Sequence, residues 1–240
     1  LVTAADSPET GANTHTFTVA NNNQHPSYTV AYEDPNQDQV CLGCRLESLS
    51  FTVVAGEWVT YSAVFMGNMP VDATESLSFT DKQQFSADQA TVRFAAVDGS
   101  FAGTGVDIDT FSMNISKNTE AFYAIGSTAP KNIINKQFSV SGDFSKLNED
   151  ETYFDIFKNH NLKAVEFALS GANIGATSTP NSLTVKLEQV HFSSWNNNAG
   201  NDDIVKDSVE FKCEYNEGAA DPNAGMMNVV LVNDSANATY

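Results

Sequence analysis

The chain has 240 residues, 41% of them hydrophobic, and carries 30 acidic against 12 basic side chains, for a formal net charge of −18. That length and apolar fraction allow a buried core and exclude wholesale disorder. The charge excludes attraction to phosphate backbones through clustered cations, because the only two arginines, Arg45 and Arg93, stand far apart and no Lys cluster joins them.

An acidic surface also repels anionic membranes and keeps a protein soluble in salty water. Sixteen Phe residues, with Val, Thr and Ser crowding the same segments, favour strands over helices. No apolar run approaches the ~18 residues that span a bilayer, so no membrane insertion is expected. The first residues, from Leu1 to Asp6, have neither the charged nor the apolar region of a signal peptide. The missing initiator Met implies processing or an absent first part.

In chain order, residues 14–19 and 28–32 alternate apolar and polar as strands do, with the turn formers Asn21 to Pro26 between them. Cys41-Leu42-Gly43-Cys44 has the spacing of a zinc or redox pair. A structural zinc site needs four ligands, and only Cys213 and the scattered His15, His25, His160 and His191 could complete one. A redox pair should open a helix, whereas this one leads into a strand. The cysteines read as small, half-buried residues, and no metal or cofactor is expected.

Residues 44–54 and 57–66 form the clearest unit, a hairpin around Ala55-Gly56. Val59, Tyr61, Ala63 and Phe65 share one face of the second strand, and Thr60 and Ser62 the other. Phe51 and Val53 alternate with Ser50 and Thr52 on the first. The Glu47-Ser48-Leu49 stretch breaks the alternation and predicts a bulge.

Residues 67–90 are polar and irregular, too long for a mere connection. Strands are predicted again at 90–97 and 106–116. The second places Asp107 and Asp109 on one face, either as an acid–base or cation pair or as a solvated surface, the reading preferred here. A strand at 135–146 precedes the one predicted helix, 149–159, with Asn148 as its cap, acids in its first turn and Tyr153, Phe154, Ile156 and Phe157 at helical spacing. Strands follow at 162–170, 182–192, 205–215 and 226–232, with loops at 196–198 and 218–223.

The fold class is therefore mainly β: a sandwich or barrel of antiparallel strands with one flanking α-helix and a long protruding loop. Residues 1–240 are expected to make one domain, with its core in 14–170 and further strands and a C-terminal arm in 171–240. No nucleophile-elbow, P-loop, zincin or dinucleotide motif is present, and the three Asn-x-Ser/Thr matches, at Asn114, Asn233 and Asn237, occur in a chain rich in those residues.

The hairpin stretch from Gly43 through Glu57-Trp58-Val59 to Met66-Gly67 resembles the corresponding hairpin of tail tube proteins of siphovirus-like phages. Phe111-Ser112-Met113-Asn114-Ile115-Ser116 with the turn after it, and Phe138-Ser139-Val140-Ser141-Gly142-Asp143-Phe144 with the short helix after it, resemble the same family in the same order. The resemblance covers about residues 14–170 and is weaker over 171–240. It implies a non-enzymatic β-sandwich subunit assembling with itself into hexameric rings stacked as a tube. It also implies contacts with terminator, tape-measure and distal tail proteins, and double-stranded DNA that passes through the bore without specific binding. The location implied is the virion tail, after synthesis in the host cytoplasm. The alternative is a secreted or surface β-sandwich that binds glycans or builds a surface layer, which would need an exposed aromatic platform from Trp58 or Trp195.

Within the tube reading, the polar hairpin face with Arg45, Glu47, Ser50, Thr52, Thr60 and Ser62 is expected at the lumen or at a subunit interface. Arg45 would need Glu47, or an acid of a neighbouring subunit, to neutralise it. The long loop, with Asp72, Glu75, Asp81, Lys82 and Asp88, is expected to reach an adjacent ring or subunit.

Overall fold

A computed structural model describes residues 2–5, 11–19, 26–74, 84–198, 204–219 and 225–234. Its strands, in chain order, begin with β1 (Val2–Ala5), β2 (Asn13–Thr18), β3 (Tyr28–Tyr32), β4 (Gln39–Val54), β5 (Thr60–Met66) and β6 (Val71–Asp72). Then come β7 (Ala90–Ala96), β8 (Thr110–Ser116), β9 (Glu120–Phe122), β10 (Asn132–Ile134) and β11 (Ser139–Leu147). The helix α1 (Thr152–Lys158) precedes β12 (Lys163–Asn173), β13 (Pro180–Asn198), β14 (Lys206–Glu214) and β15 (Met227–Asn233). Among the described residues no helix is long and apolar enough to cross a membrane.

The pairings are antiparallel and build a sandwich from one continuous sheet. β13 belongs to both layers. Its first part, from Ser182 to Leu187, lies between β15 and β12. Its second part, from Gln189 onward, pairs with β14 through a register shift between Phe192 and Ser194. One layer therefore runs β1-β2-β15-β13-β12-β7, and the other runs β13-β14-β11-β8-β4-β5. Such a bulge lets one strand bend from one layer into the next.

The inward residues of each strand are those that alternation predicts. Phe111, Met113 and Ile115 of β8, Val140 and Phe144 of β11, and Val209 and Phe211 of β14 are buried against Val165, Phe167 and Leu169 of β12. Phe94 of β7 sits 5.1 Å from Phe144 and 6.1 Å from Phe192 between ring centroids. Gly142 of β11 faces this core because nothing larger fits: a Cβ there would lie 2.2 Å from the Ser112 carbonyl oxygen and 2.5 Å from Phe211 Cζ. The missing side chain is the space that the Phe211 ring occupies.

Several predicted boundaries move. The helix starts at Thr152 instead of 149: Asp150 Oδ1 accepts the Thr152 N–H at 2.9 Å, while the predicted cap, Asn148, donates its side-chain amide to Asp207 Oδ1 at 2.8 Å. β8 starts at Thr110 instead of 106, because the preceding segment crosses between layers. Val106 N bonds Val92 O on one side and Asp109 N bonds Ser145 O on the other. β11 starts at Ser139, residues 132–134 being the separate strand β10. β13 runs through the predicted loop at 196–198, held by pairing to β14.

Candidate assembly surface

The predicted hairpin forms, with its bulge. Thr52 pairs with Thr60, Ser50 with Ser62 and Arg45 with Met66, and the register shifts between Leu46 and Ser48, so Glu47 is the extra residue. The turn is wider than Ala55-Gly56 alone. Glu57 N bonds Val54 O at 3.0 Å, and Trp58, between the turn and β5, bridges Ser86.

On its other side β4 pairs with β8, and the polar face continues across the whole layer. One row reads Ser62, Ser50, Asn114, Ser141, Lys212 and His191; the next reads Thr60, Thr52, Ser112, Asp143, Glu210 and Ser194. Each member lies directly opposite its neighbour, so one face of six strands is lined by hydroxyls, an amide and few charges. The structure thus brings Ser50, Thr52, Thr60 and Ser62 together and adds Ser112, Asn114, Ser141, Asp143 and Glu210, which the hairpin reading missed. The alternation in 111–116, 140–145 and 208–214 carried that signal.

Some polar groups on this face are answered within it, while Glu210 and Lys212 make no ion pair among the described residues. Ser112 donates to Asp143, and His191 Nδ1 lies 3.0 Å from Glu214 Oε1. Lys206 Nζ lies 2.6 Å from Asp109 Oδ2, and Ser145 donates to the other oxygen of that carboxylate. Burial would raise the Asp109 carboxyl, but these two donors outweigh it and hold it below the usual aspartate value. Asp109 is therefore the anchor of an ion pair, and Asp107 is a separate exposed residue.

Arg45 is not neutralised by Glu47: among the described residues the two make no ion pair. The charge Arg45 meets is Lys117, whose ammonium is made less basic by burial and further by Arg45. Glu47 contributes its backbone instead, its carbonyl accepting the Lys117 N–H at 2.8 Å.

β5 is an edge strand, paired with β4 alone among the described residues. The second layer does not reach under it. Its core-side residues are largely exposed, Tyr61 at 75% and Phe65 at 42% even with Tyr28 edge-on against it, with Trp58 nearby at 60%. Trp195, by contrast, packs on Phe154 of α1 at 4.7 Å between centroids, so the two tryptophans make no common platform.

Of the long loop, Glu75, Asp81 and Lys82 lie outside the described residues. Its start pairs back onto β4 through β6, where Asp72 Oδ1 accepts from Gln37 Nε2 at 2.5 Å. Its end returns to the hairpin turn in a 3-10 turn, Ala87–Gln89, where Ser86 donates to Asp88. The cysteine pair lies within β4. Cys44 is buried and donates its thiol to the Cys41 carbonyl at 3.3 Å.

A family model described as phage tail tube protein matches residues 1–213. The match extends past residue 170 into β14, beyond the segments that carry the sequence resemblance. No curated protein matches the sequence. Among solved structures, a chain of the anti-feeding prophage (AFP) baseplate, determined by cryo-EM with 6-fold symmetry, is 13% identical with a TM-score of 0.37, covering 59% of this chain and 93% of its own.

Proposed function

The chain belongs to the phage tail tube protein family, and on that premise we propose that it is the self-assembling subunit of a viral tail tube, closing into rings that stack into a conduit for the genome. The observation that supports this reading is the asymmetry of the β5 to β13 layer. One face is the core, the other is a continuous hydroxyl-rich surface, and the layer ends in an edge strand with largely exposed aromatic residues. A neighbouring subunit that continues the sheet past β5 would satisfy its free backbone groups and cover Tyr61 and Phe65. Repetition around an axis then closes a ring without open edges. Six copies is the number the family resemblance implies.

In that ring the Ser50, Ser62, Asn114 and Ser141 face lines the bore. DNA must slide along it without sticking, and each cation contact with phosphate would add an attraction multiplied by the symmetry. The face meets this need with hydroxyls and with the acids Asp143, Glu210 and Glu214, which outnumber its exposed lysine, Lys212. Arg45 and Lys117, which make no ion pair among the described residues, take a carboxylate from the adjacent subunit. The role is structural. The partners are further copies of the chain, with terminator, tape-measure and distal tail proteins at the ends, and the location is the virion after synthesis in the host cytoplasm.

The test is electron microscopy of the purified chain with and without Tyr61→Glu. The expected result is rings or tubes from the parent, and folded, unassembled subunits from the variant, since Tyr61 supports no core. A parent that stays monomeric at high concentration with tail ends supplied would refute the reading.

A further inference from the structure

The strands β9 and β10 form a small sheet of their own, an arm that continues the β8–β11 hairpin through the Lys136 N to Lys117 O bond; Ile133 at its base is buried, and the turn beyond it is exposed. At its tip Ile125 is 108% exposed, and Phe122 and Tyr123, which lead into the turn, are exposed as well. The tip is built, not loose. Ser127 N bonds Ala124 O at 3.1 Å, Gly126 takes the left-handed φ of 85° that the turn requires, and Ser127 Oγ donates to Ala129 O at 2.8 Å. Three large apolar side chains at an ordered turn mark a contact surface.

At the opposite end of the same strands a cavity of about 450 Å³ opens between the hairpin turn and the 3-10 turn. It reaches into the core, lined by Val53, Ala87, Val92, Ile108, Phe111 and Phe167. The Thr110 end of β8 lines this cavity and its Ser116 end leads into the arm, so the two sites are about 20 Å apart along the strand. One copy cannot fill its own cavity with its own arm.

The charges also match. Glu120 of the arm is answered by Lys136 at 3.0 Å, which leaves Lys131 as the arm's exposed cation. Glu57 and Asp88 stand around the cavity. Among the described residues, neither Lys131 nor Glu57 makes an ion pair.

We propose that Ile125 of one copy seats in this cavity of the next, with Lys131 meeting Glu57 and Asp88, and that this head-to-tail contact stacks one ring on another. A knob and hole at opposite ends make a heterologous contact, which propagates along the strand direction instead of closing on itself. Ring closure past β5 runs across the strands, so the two contacts do not compete. The assignment rests on the tube reading above.

The experiment compares tube growth by the full chain with that of Ile125→Asp, Glu57→Lys, Lys131→Glu and the double charge swap. The three side chains changed are all exposed, and circular dichroism checks the fold. Ile125→Asp is expected to raise the concentration needed for tube growth roughly tenfold or more while single rings still form. Each charge reversal alone is expected to weaken stacking, and the double swap to restore it. A second arm uses Ile125→Cys with Ala87→Cys under oxidising conditions, expected to give a ladder of disulfide-linked chains that neither single variant gives. Normal tubes from Ile125→Asp, or tubes of the cysteine pair without a ladder, would overturn this contact and leave the tube reading standing. A parent chain that forms neither rings nor tubes would overturn both.

Discussion

Phe111 of β8 and Phe167 of β12 stack across the two layers at 5.0 Å between centroids and 18° between planes. Both are almost wholly buried, and both line the cavity at the end of the sandwich. The pair therefore joins the layer that carries the polar face to the layer that supports it. Phe167→Ala is expected to destabilise the subunit by about 3–5 kcal/mol, the usual cost of truncating a core aromatic. Urea unfolding measures it, and a loss under about 1 kcal/mol would mean that the layers are held elsewhere.

Gly142 gives the opposite case, a position that must stay empty. Gly142→Ala puts a carbon against the Ser112 carbonyl and the Phe211 ring and is expected to lower stability by about 1–3 kcal/mol or more. Gly126→Ala in the arm meets no neighbour and only strains the turn, so thermal unfolding should show the smaller loss there.

The Asp109–Lys206 pair makes stability depend on pH with a definite sign. Its folded carboxyl is held below the ordinary aspartate value of 3.8. The contribution is thus fully present above that value and is lost as the pH falls through the folded one. The stability gap between parent and Asp109→Asn should be widest near neutrality and should close in acid. A gap that widened in acid would contradict the assignment.

The three thiols should separate by reactivity. Burial pushes the Cys213 thiol up to about 12, and burial reinforced by Cys41 raises Cys44. Since the thiolate is the reacting species, a disulfide reagent at pH 8 is expected to modify Cys41 first and the other two only on unfolding. Rapid reaction of Cys213 in the folded chain would show that its surroundings are more open than described.

Alternation made much of this legible in advance. Wherever every second residue enters the core, as in 111–116 and 208–214, strand and face are both readable, and Glu47 announced its bulge by interrupting the rhythm. What stayed hidden depends on distant partners. Asn148 looks like a helix cap, but Asp207 takes its amide. Asn196, Asn197 and Asn198 look like a turn, but pairing with β14 keeps them extended, and Asn197 also donates to Asp207 at 3.2 Å. The start of β4 passes through Gly43 at a φ of 68°, which breaks the pattern inside a continuous strand. The β9–β10 arm has short strands and an apolar tip that supports no core, so no period marks it.

The most direct measurement is a cryo-EM reconstruction of the assembled protein. The expected map is a stacked-ring tube in which Ser50, Thr52, Thr60 and Ser62 share the bore with Asn114, Ser141, Asp143 and Glu210, and β5 is paired with a strand of the adjacent subunit. A bore lined mainly by lysines, or a tube with this sheet face wholly on the outside, would contradict it.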